Sequence, residues 1–256
     1  MQHLGKTRSA HHPDHLLQAP DTFVRAPLPG MRKATAIVHI APAGGAKFTQ
    51  YTAEFEAGGT LDPSPIQRFF YVLDGELAAG SRSLTAGEYA YFPAGSKEIL
   101  SAARPARAAV IEKPYEALTD VSAPAFVTGK ESAIAGQPFM GDDTLQVRAL
   151  IPADPAFDFM MTTMTFQPGT TLPMVEIHVM EHGLLMLEGG GIYRLGNCWY
   201  PVTAGDFIWM APHCPQWFGA LGKQPAKYLI YKDWDRHPLA PRHGDPSIGS
   251  QAQNED

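Results

Sequence analysis

The sequence contains few cysteines and no cysteine pair of metal-binding spacing. Among its 256 residues only Cys198 and Cys214 are cysteines. Two cysteines are too few for a disulfide framework, and without a CxxC pair they do not indicate a zinc site. We expect both to be ordinary reduced thiols.

Positive charge and long apolar runs are also scarce. The 20 basic residues are outnumbered by 26 acidic ones, and no stripe of basic and aromatic side chains is present of the kind that nucleic acid requires. No apolar segment approaches the ~20 residues that span a bilayer. The N-terminal sequence MQHLGKTRSAHHPDHLLQAP has no apolar core of a secretory signal. These absences predict a cytoplasmic protein that binds neither nucleic acid nor a membrane.

What is abundant indicates an all-β protein. Hydrophobic residues make up 45% of the chain, and there are 24 glycines and 23 prolines. So many turn-forming residues beside a sizeable core favour short strands over long helices.

An internal repeat defines the domain organisation. Residues 68–95 and 182–213 each contain an apolar run, an acidic residue with glycine, a polar hairpin, a TAG turn and an aromatic run ending in proline. Gly75 and Gly189, which close the first runs, lie 114 residues apart. The runs are short and rich in aromatic and branched residues, as strands are. We therefore predict two tandem jelly-roll β-barrel domains.

Four segments are predicted from this repeat. Residues 1–115 form an N-terminal extension and the first domain, 116–145 a linker with edge strands, 146–240 the second domain and 241–256 a mobile tail. Four histidines near the N-terminus are expected to be solvated: His3, His11, His12 and His15.

The stretch VEIHVMEHGLLMLEGGG, residues 175–191, holds the candidate site. A helix would align His178 with His182, but it would point Glu176 away from them and would end at the glycines. On a strand, side chains alternate between faces, so Glu176, His178 and His182 all point to one side. The strand is therefore the favoured interpretation, although a bulge would disturb the alternation.

Three ligand-type side chains on one face predict a metal site. Burying a carboxylate and two imidazoles without a metal would cost several kcal/mol or force them to be neutral. In the first repeat, the aligned positions are Asp62, Ser64 and Arg68, which do not form a ligand set. We expect the second domain alone to carry the metal.

Several motifs resemble those of a known family. The spacing from Glu176 to Gly189 resembles the first cupin motif in variant form, and residues 205–216 resemble the second motif with Gln216 in place of its histidine. Together with FDFMMTTMTFQPG, GDFIWMAPHCPQW and YLIYKDWDRHPL, these exchanges are similar to those of the (S)-ureidoglycine aminohydrolases. These are bicupin enzymes of purine and allantoin breakdown, and the resemblance extends over nearly the whole chain.

The resemblance implies the residues of the site. The metal ligands would be Glu176, His178, His182 and Gln216, and the catalytic residues would be Glu176, Lys232 and Tyr228. A mixed nitrogen and oxygen set without thiolate suits Mn(II) or Fe(II). Of these, the resemblance to the family implies Mn²⁺.

The resemblance also implies the reaction. A metal-dependent hydrolase would exchange the amine of (S)-ureidoglycine for hydroxyl, releasing ammonia and leaving (S)-ureidoglycolate. The small-molecule substrate would be the main partner, and we expect a homo-oligomer because apolar outer faces need covering. Another metal cupin, such as a dioxygenase or isomerase, or a bicupin that only binds a ligand, stays open as an alternative.

Overall fold

The protein is built of strands. A computed structural model describes residues 6–233 and Arg236, and over these residues it contains 21 strands and three short 3-10 turns. None of the described residues forms a helix that is long and apolar enough to cross a membrane. The strands are β1 (Ala10–His11), β2 (His15–Gln18), β3 (Arg25–Ala26), β4 (Met31–Ile40), β5 (Thr49–Leu61), β6 (Gln67–Asp74), β7 (Glu76–Ala79), β8 (Arg82–Thr85), β9 (Glu88–Phe92), β10 (Leu100–Ala102), β11 (Ala106–Lys113), β12 (Val127–Lys130), β13 (Gln137–Phe139), β14 (Asp142–Ala149), β15 (Met160–Phe166), β16 (His182–Glu188), β17 (Gly190–Leu195), β18 (Cys198–Thr203), β19 (Phe207–Met210), β20 (Gln216–Ala220) and β21 (Ala226–Lys232).

Two compact units divide the chain. One comprises Phe23–Ile134; the other combines the N-terminal residues up to Thr22 with those from Ala135 onward. This all-β arrangement of two jelly-roll units agrees with the predicted fold class. The boundaries differ from those predicted, because the N-terminal extension belongs to the second unit and β12 to the first. The whole of the predicted tail, residues 241–256, lies outside the described residues.

The first unit is a ten-stranded antiparallel sheet. Its strand order is β12-β9-β6-β11-β5-β10-β7-β8, with β4 also paired to β5 and β3 to β4. Alternation along β6 and β11 sends large apolar side chains to the inside, where Phe70, Leu77, Leu100 and Val110 are fully buried.

The second unit consists of two sheets that enclose one core. An eight-stranded sheet has the order β1-β2-β19-β16-β21-β15-β14-β13, and a three-stranded sheet has the order β18-β17-β20. Phe166 and Leu184 from the larger sheet meet Tyr193 and Phe218 from the smaller one in this core. Burial of these aromatic and aliphatic side chains is the main stabilising contribution.

The N-terminal hairpin β1–β2 is an edge of the second unit. β2 pairs with β19, setting Leu17 opposite Ile208, and Leu17 is completely buried. The hairpin covers backbone groups of β19 that would otherwise form an open edge. The expectation of solvated histidines is wrong for His15, which is 1% exposed, while His11 and His12 are exposed and His3 lies outside the described residues.

The repeat is visible in the strand pairing. Between β6 and β11 the register skips Leu73, and between β16 and β21 it skips Leu187. The two bulges are 114 residues apart, the same separation as Gly75 and Gly189. A bulge kept at the same place in two copies of a sheet indicates duplication of the whole strand framework.

A glycine is required just after each bulge. Gly75 and Gly189 have φ angles of 74° and 63°, in the left-handed region. A Cβ atom at these positions would lie 2.6 Å from the carbonyl oxygen of Pro105 and 2.4 Å from that of Pro225, respectively. Both the backbone conformation and the lack of space therefore exclude a side chain.

We expect Gly189→Ala to destabilise the protein more than Gly169→Ala. Gly169 also has a positive φ, 84°, but nothing lies within 4 Å of a Cβ placed there. Gly169→Ala should therefore cost only the backbone strain, about 1 to 2 kcal/mol. Gly189→Ala should cost at least ~1 kcal/mol more because of the contact with Pro225. Urea unfolding of the two variants measures the difference, and equal losses would contradict this explanation.

Candidate metal site and active site

One pocket of the second unit gathers all the predicted site residues. Its volume is about 360 Å³. Six polar residues line it, and they are the ones that the sequence singled out: Glu176, His178, His182, Gln216, Tyr228 and Lys232.

The segment that begins the motif is neither a helix nor a continuous strand. Glu176 forms an isolated bridge to Gln216, with the two backbone N–H groups donating to each other's carbonyl oxygens at 2.8 and 2.9 Å. His178 follows in irregular chain, and its carbonyl oxygen accepts from the N–H of His213 at 2.6 Å. His182 is the first residue of β16. The strand prediction therefore holds only from His182 onward, and backbone bonds to neighbouring segments hold the other two residues.

The carboxylate and the imidazoles are close together. Nε2 of His178 lies 3.2 Å from Oε2 of Glu176, and the rings of His178 and His182 are 5.4 Å apart at an interplanar angle of 74°. All three side chains line the same pocket.

His182 is held as a neutral imidazole. Burial, together with the positive charges of His178 and Lys232, keeps its pKa well below the usual value, and the nearby carbonyls of Tyr231 and Glu181 oppose this only weakly. Within the described part of the chain, its buried Nδ1 forms no well-made hydrogen bond. A buried, neutral imidazole of this kind fits a metal ligand, because ligation requires the unprotonated ring.

Gln216 is fixed by a residue that the sequence did not reveal. The hydroxyl of Tyr193 donates to Oε1 of Gln216 at 3.1 Å, and both side chains are buried. Burial, reinforced by the charge of Glu176, raises the pKa of Tyr193 well above its ordinary value, so it stays a hydrogen-bond donor. The sequence gives no signal for this contact, which arises because β17, the strand of Tyr193, pairs with β20, the strand that begins with Gln216.

Lys232 and Tyr228 both lie on β21. Lys232 ends the strand and pairs in register with His182, so its charge is next to the imidazole of His182. Tyr228 lies deeper, and its hydroxyl donates to the sulfur of Met164 at 3.3 Å. Burial and the neighbouring Tyr193 and Glu176 raise the pKa of Tyr228 well above the usual value, so it remains an uncharged phenol.

The remaining wall of the pocket is apolar. Methionines are prominent in it. Trp217, which follows Gln216 in sequence, is not among the described lining residues. Successive residues of β20 point to opposite faces, so the indole turns away from Gln216 and donates to the carbonyl of Leu172 at 2.9 Å. The apolar lining comprises Phe139, Met140, Met164, Met174, Val175, Ile177, Met180 and Ile230.

The first unit has an ion pair at the equivalent place. Arg68 pairs in register with Glu112, just as His182 pairs with Lys232 in the second unit. Nε of Arg68 donates to Glu112 Oε1 at 2.7 Å, and its Nη1 donates to the carbonyl of Asp62 at 2.9 Å. The guanidinium is thus neutralised internally and fills the position where the second unit has an imidazole.

The fold and the pocket define a cupin. Residues 162–231 match the cupin domain family. A structure from Pseudomonas aeruginosa, described as that of a glyoxylate induced protein, superposes with a TM-score of 0.82 at 28% identity, covering 92% of this chain and 93% of the other.

Sequence relatives narrow the class. The chain is 40% identical over 244 residues to an (S)-ureidoglycine aminohydrolase of Arabidopsis thaliana, covering 92% of this chain and 80% of the relative. It is 29% identical to the enzyme of the same name from Escherichia coli K12, covering 88% of this chain and 90% of that one. The protein belongs to the (S)-ureidoglycine aminohydrolase family of cupins.

Proposed function

We propose that this protein hydrolyses (S)-ureidoglycine to (S)-ureidoglycolate and ammonia in the breakdown of purines through allantoin. The observation that carries the proposal is the pocket in which a carboxylate, two imidazoles, an amide and an ammonium group converge, in a chain that belongs to this family. In the reaction a C–N bond of the substrate breaks and a C–O bond forms. Water supplies the hydroxyl, and its remaining proton leaves with the amine as ammonia.

The donor set supports a manganese ion as the cofactor. Glu176, His178, His182 and Gln216 would hold it through carboxylate oxygen, ring nitrogen and amide oxygen. No thiolate lines the pocket among the described residues, and hard or borderline donors of this kind suit Mn²⁺. When bound, the ion supplies Lewis-acid polarisation to the substrate groups that it contacts.

Glu176 is the proposed proton carrier. Its carboxylate is only partly buried and lies on the pocket wall beside His178. Such a carboxylate accepts a proton from the incoming water and returns it to the departing amine. His182 is less suited to this role, because burial lowers the pKa of its imidazole well below the usual value and so makes the neutral ring a weak proton acceptor. Glu176 would carry protons in either of two routes: one in which the amine leaves first to give an imine, and one in which water displaces the amine directly.

Lys232 is the proposed partner for negative charge on the substrate. Ureidoglycine carries a carboxylate and a polar ureido oxygen, and the ammonium group of Lys232 is positioned at the pocket edge by pairing of β21 with β16. The apolar wall around it lowers the local dielectric and so strengthens this attraction. Tyr228, as a buried neutral phenol, would shape the floor and not accept a proton.

We also propose that the protein works in the cytoplasm as a homo-oligomer. Both cysteines are unpaired thiols, as is usual in a reducing compartment. Large apolar side chains such as Trp199 and Leu221 are each 58% exposed, which favours an interface.

The stereochemistry of the product tests the activity. Ureidoglycine decomposes without an enzyme, so ammonia release alone is weak support. The substrate is generated in place from allantoate by an allantoate amidohydrolase, and the handedness of the ureidoglycolate is measured. We expect an excess of the S form with the manganese-loaded protein and a racemic product with Glu176→Ala. A racemic product from both proteins would overturn the assignment.

Tyr193→Phe is expected to weaken manganese binding. The variant removes the hydroxyl that orients the amide of Gln216, and loss of such an outer partner costs roughly 10- to 100-fold in metal affinity. Titration calorimetry with Mn²⁺ on the metal-free protein measures it. Tyr228→Phe is the matched control, since that hydroxyl bonds to Met164 sulfur and not to Gln216. Equal affinities of the two variants would contradict the orienting role.

Lys232→Met is expected to lower kcat/KM by roughly 10- to 100-fold, the equivalent of losing one charged hydrogen bond. Manganese binding should not weaken, because Lys232 is not one of the four proposed ligands and its positive charge repels the cation. Lys227→Met is the control on the same strand, because Lys227 pairs with Glu188 outside the pocket. An unchanged kcat/KM in Lys232→Met, measured with the same product assay, would refute the role of its charge.

A further inference from the structure

A second group of ligand-type side chains lies outside the pocket, where the N-terminal hairpin meets β18. His12 and His15 come from the hairpin, and Cys198 begins β18. One ligand atom from each of these three residues lies within 4.8 Å of the others. None of the three lines the pocket described above.

The histidines are held in an orderly arrangement. The ring of His12 stacks on that of His15, with centroids 4.6 Å apart and planes at 24°. Nδ1 of His15 lies 2.9 Å from Oδ1 of Asp14, and its Nε2 lies 2.9 Å from the hydroxyl of Tyr200. Since the carboxylate can only accept, Nδ1 carries the proton and Nε2 presents its lone pair.

The thiol lies on the same side as that lone pair. The hydroxyl of Tyr200, which contacts Nε2 of His15, also contacts the thiol of Cys198. An imidazole whose outer nitrogen is bonded to a carboxylate is the usual arrangement of a metal-binding histidine. Here Asp14 is that outer partner, and His15 is 1% exposed, so the ring cannot reorient easily.

We propose that His12, His15 and Cys198 bind a thiophilic divalent cation of the zinc class. Two imidazoles and one thiolate are three of the four ligands of a tetrahedral zinc site, and water completes the set. On binding, the thiol of Cys198 releases its proton to solvent and the hydroxyl of Tyr200 turns away from Nε2. The exposed ring of His12 rotates out of its stack with His15, because the lone pairs of stacked rings do not point to one ion. The thiolate distinguishes this site from the pocket, whose donors are nitrogen and oxygen.

The position of the site gives it a structural role. The N–H of Ala211 donates to the carbonyl of Asp14 at 2.9 Å, and the N–H of Gly196 donates to the carbonyl of Pro215 at 2.8 Å. A cation bound by His12, His15 and Cys198 therefore links the hairpin to the start of β18. That region is joined, through the bond from Gly196 to Pro215, to the residue that precedes Gln216. Binding at this site stabilises the folded state by mass action and supports the pocket without contacting substrate.

Cobalt(II) titration of the full chain under reducing conditions tests the site. Cobalt takes the place of zinc, and a thiolate ligand gives an intense near-ultraviolet charge-transfer band that nitrogen and oxygen ligands do not give. The band must come from Cys198 or Cys214, because the chain has no other cysteine. In the wild type we expect the intensity of the band to stop increasing once one cobalt ion per chain is bound by thiolate. We expect the same in His182→Ala, which lacks a ligand of the pocket, because the band does not come from the pocket.

The variants decide which thiol is used. Cys198→Ser should abolish the band and Cys214→Ser should retain it. Cys214 is the matched control because its thiol also lies within 4.8 Å of a ligand atom of Asp14 and of His15. Absence of a band in the wild type would overturn the proposal, as would its loss in Cys214→Ser with retention in Cys198→Ser.

A second variant guards against a folding defect in Cys198→Ser. His12 is exposed, so His12→Ala leaves the core unchanged. Its cobalt affinity, read from the same band, should fall by more than the ~10-fold that loss of an outer partner costs. An affinity equal to that of the wild type would remove His12 from the site and overturn the proposal.

Discussion

The pocket depends on the two backbone hydrogen bonds between Glu176 and Gln216. They join an irregular segment to the start of β20, so that residues 40 apart in sequence present their side chains at one place. The bond from His213 to the carbonyl of His178 continues the same attachment. Because main-chain hydrogen bonds hold these residues in place, their carboxylate, amide and imidazole groups are not needed for positioning and stay available for chemistry.

The surroundings of these groups set their protonation. His182 is buried at the start of β16 beside Lys232, and it is therefore neutral. Glu176 is more accessible, and Tyr193 and Tyr228 are uncharged phenols. The pocket thus places a partly exposed carboxylate beside one imidazole and two phenols that burial keeps uncharged near neutral pH. Such separation of acid–base behaviour by burial is typical of enzyme sites.

The sequence predicts the fold and most of the site for identifiable reasons. Repeated glycines and apolar runs specify two jelly rolls, because a bulge followed by a left-handed glycine leaves a local signature at Gly75 and Gly189. Residue type and spacing predict Glu176, His178 and His182 as metal ligands, whereas Gln216 is implied only by the resemblance to the family. The alternation argument describes the backbone only from His182 onward, since the isolated bridge at Glu176 results from pairing with a distant strand.

Other features could not be predicted because they depend on long-range contacts. Nothing local to HHPDH indicates that β2 pairs with β19 and buries His15. The placement of Trp217 follows from the face of β20 that Gln216 occupies, and Tyr193 is important only because β17 lies opposite that strand.

The ion pair of Arg68 and Glu112 has an evolutionary consequence. The two halves of the chain differ at one pair of neighbouring strand positions. The first half holds the ion pair of Arg68 and Glu112 there, and the second half holds the imidazole of His182 beside the ammonium group of Lys232. The shared bulge and glycine persist in both halves, so exchanging chemistry at this position does not require rebuilding the framework. A half of a duplicated chain that holds no reactive groups can thus be kept for its contribution to folding, while the other half holds the pocket.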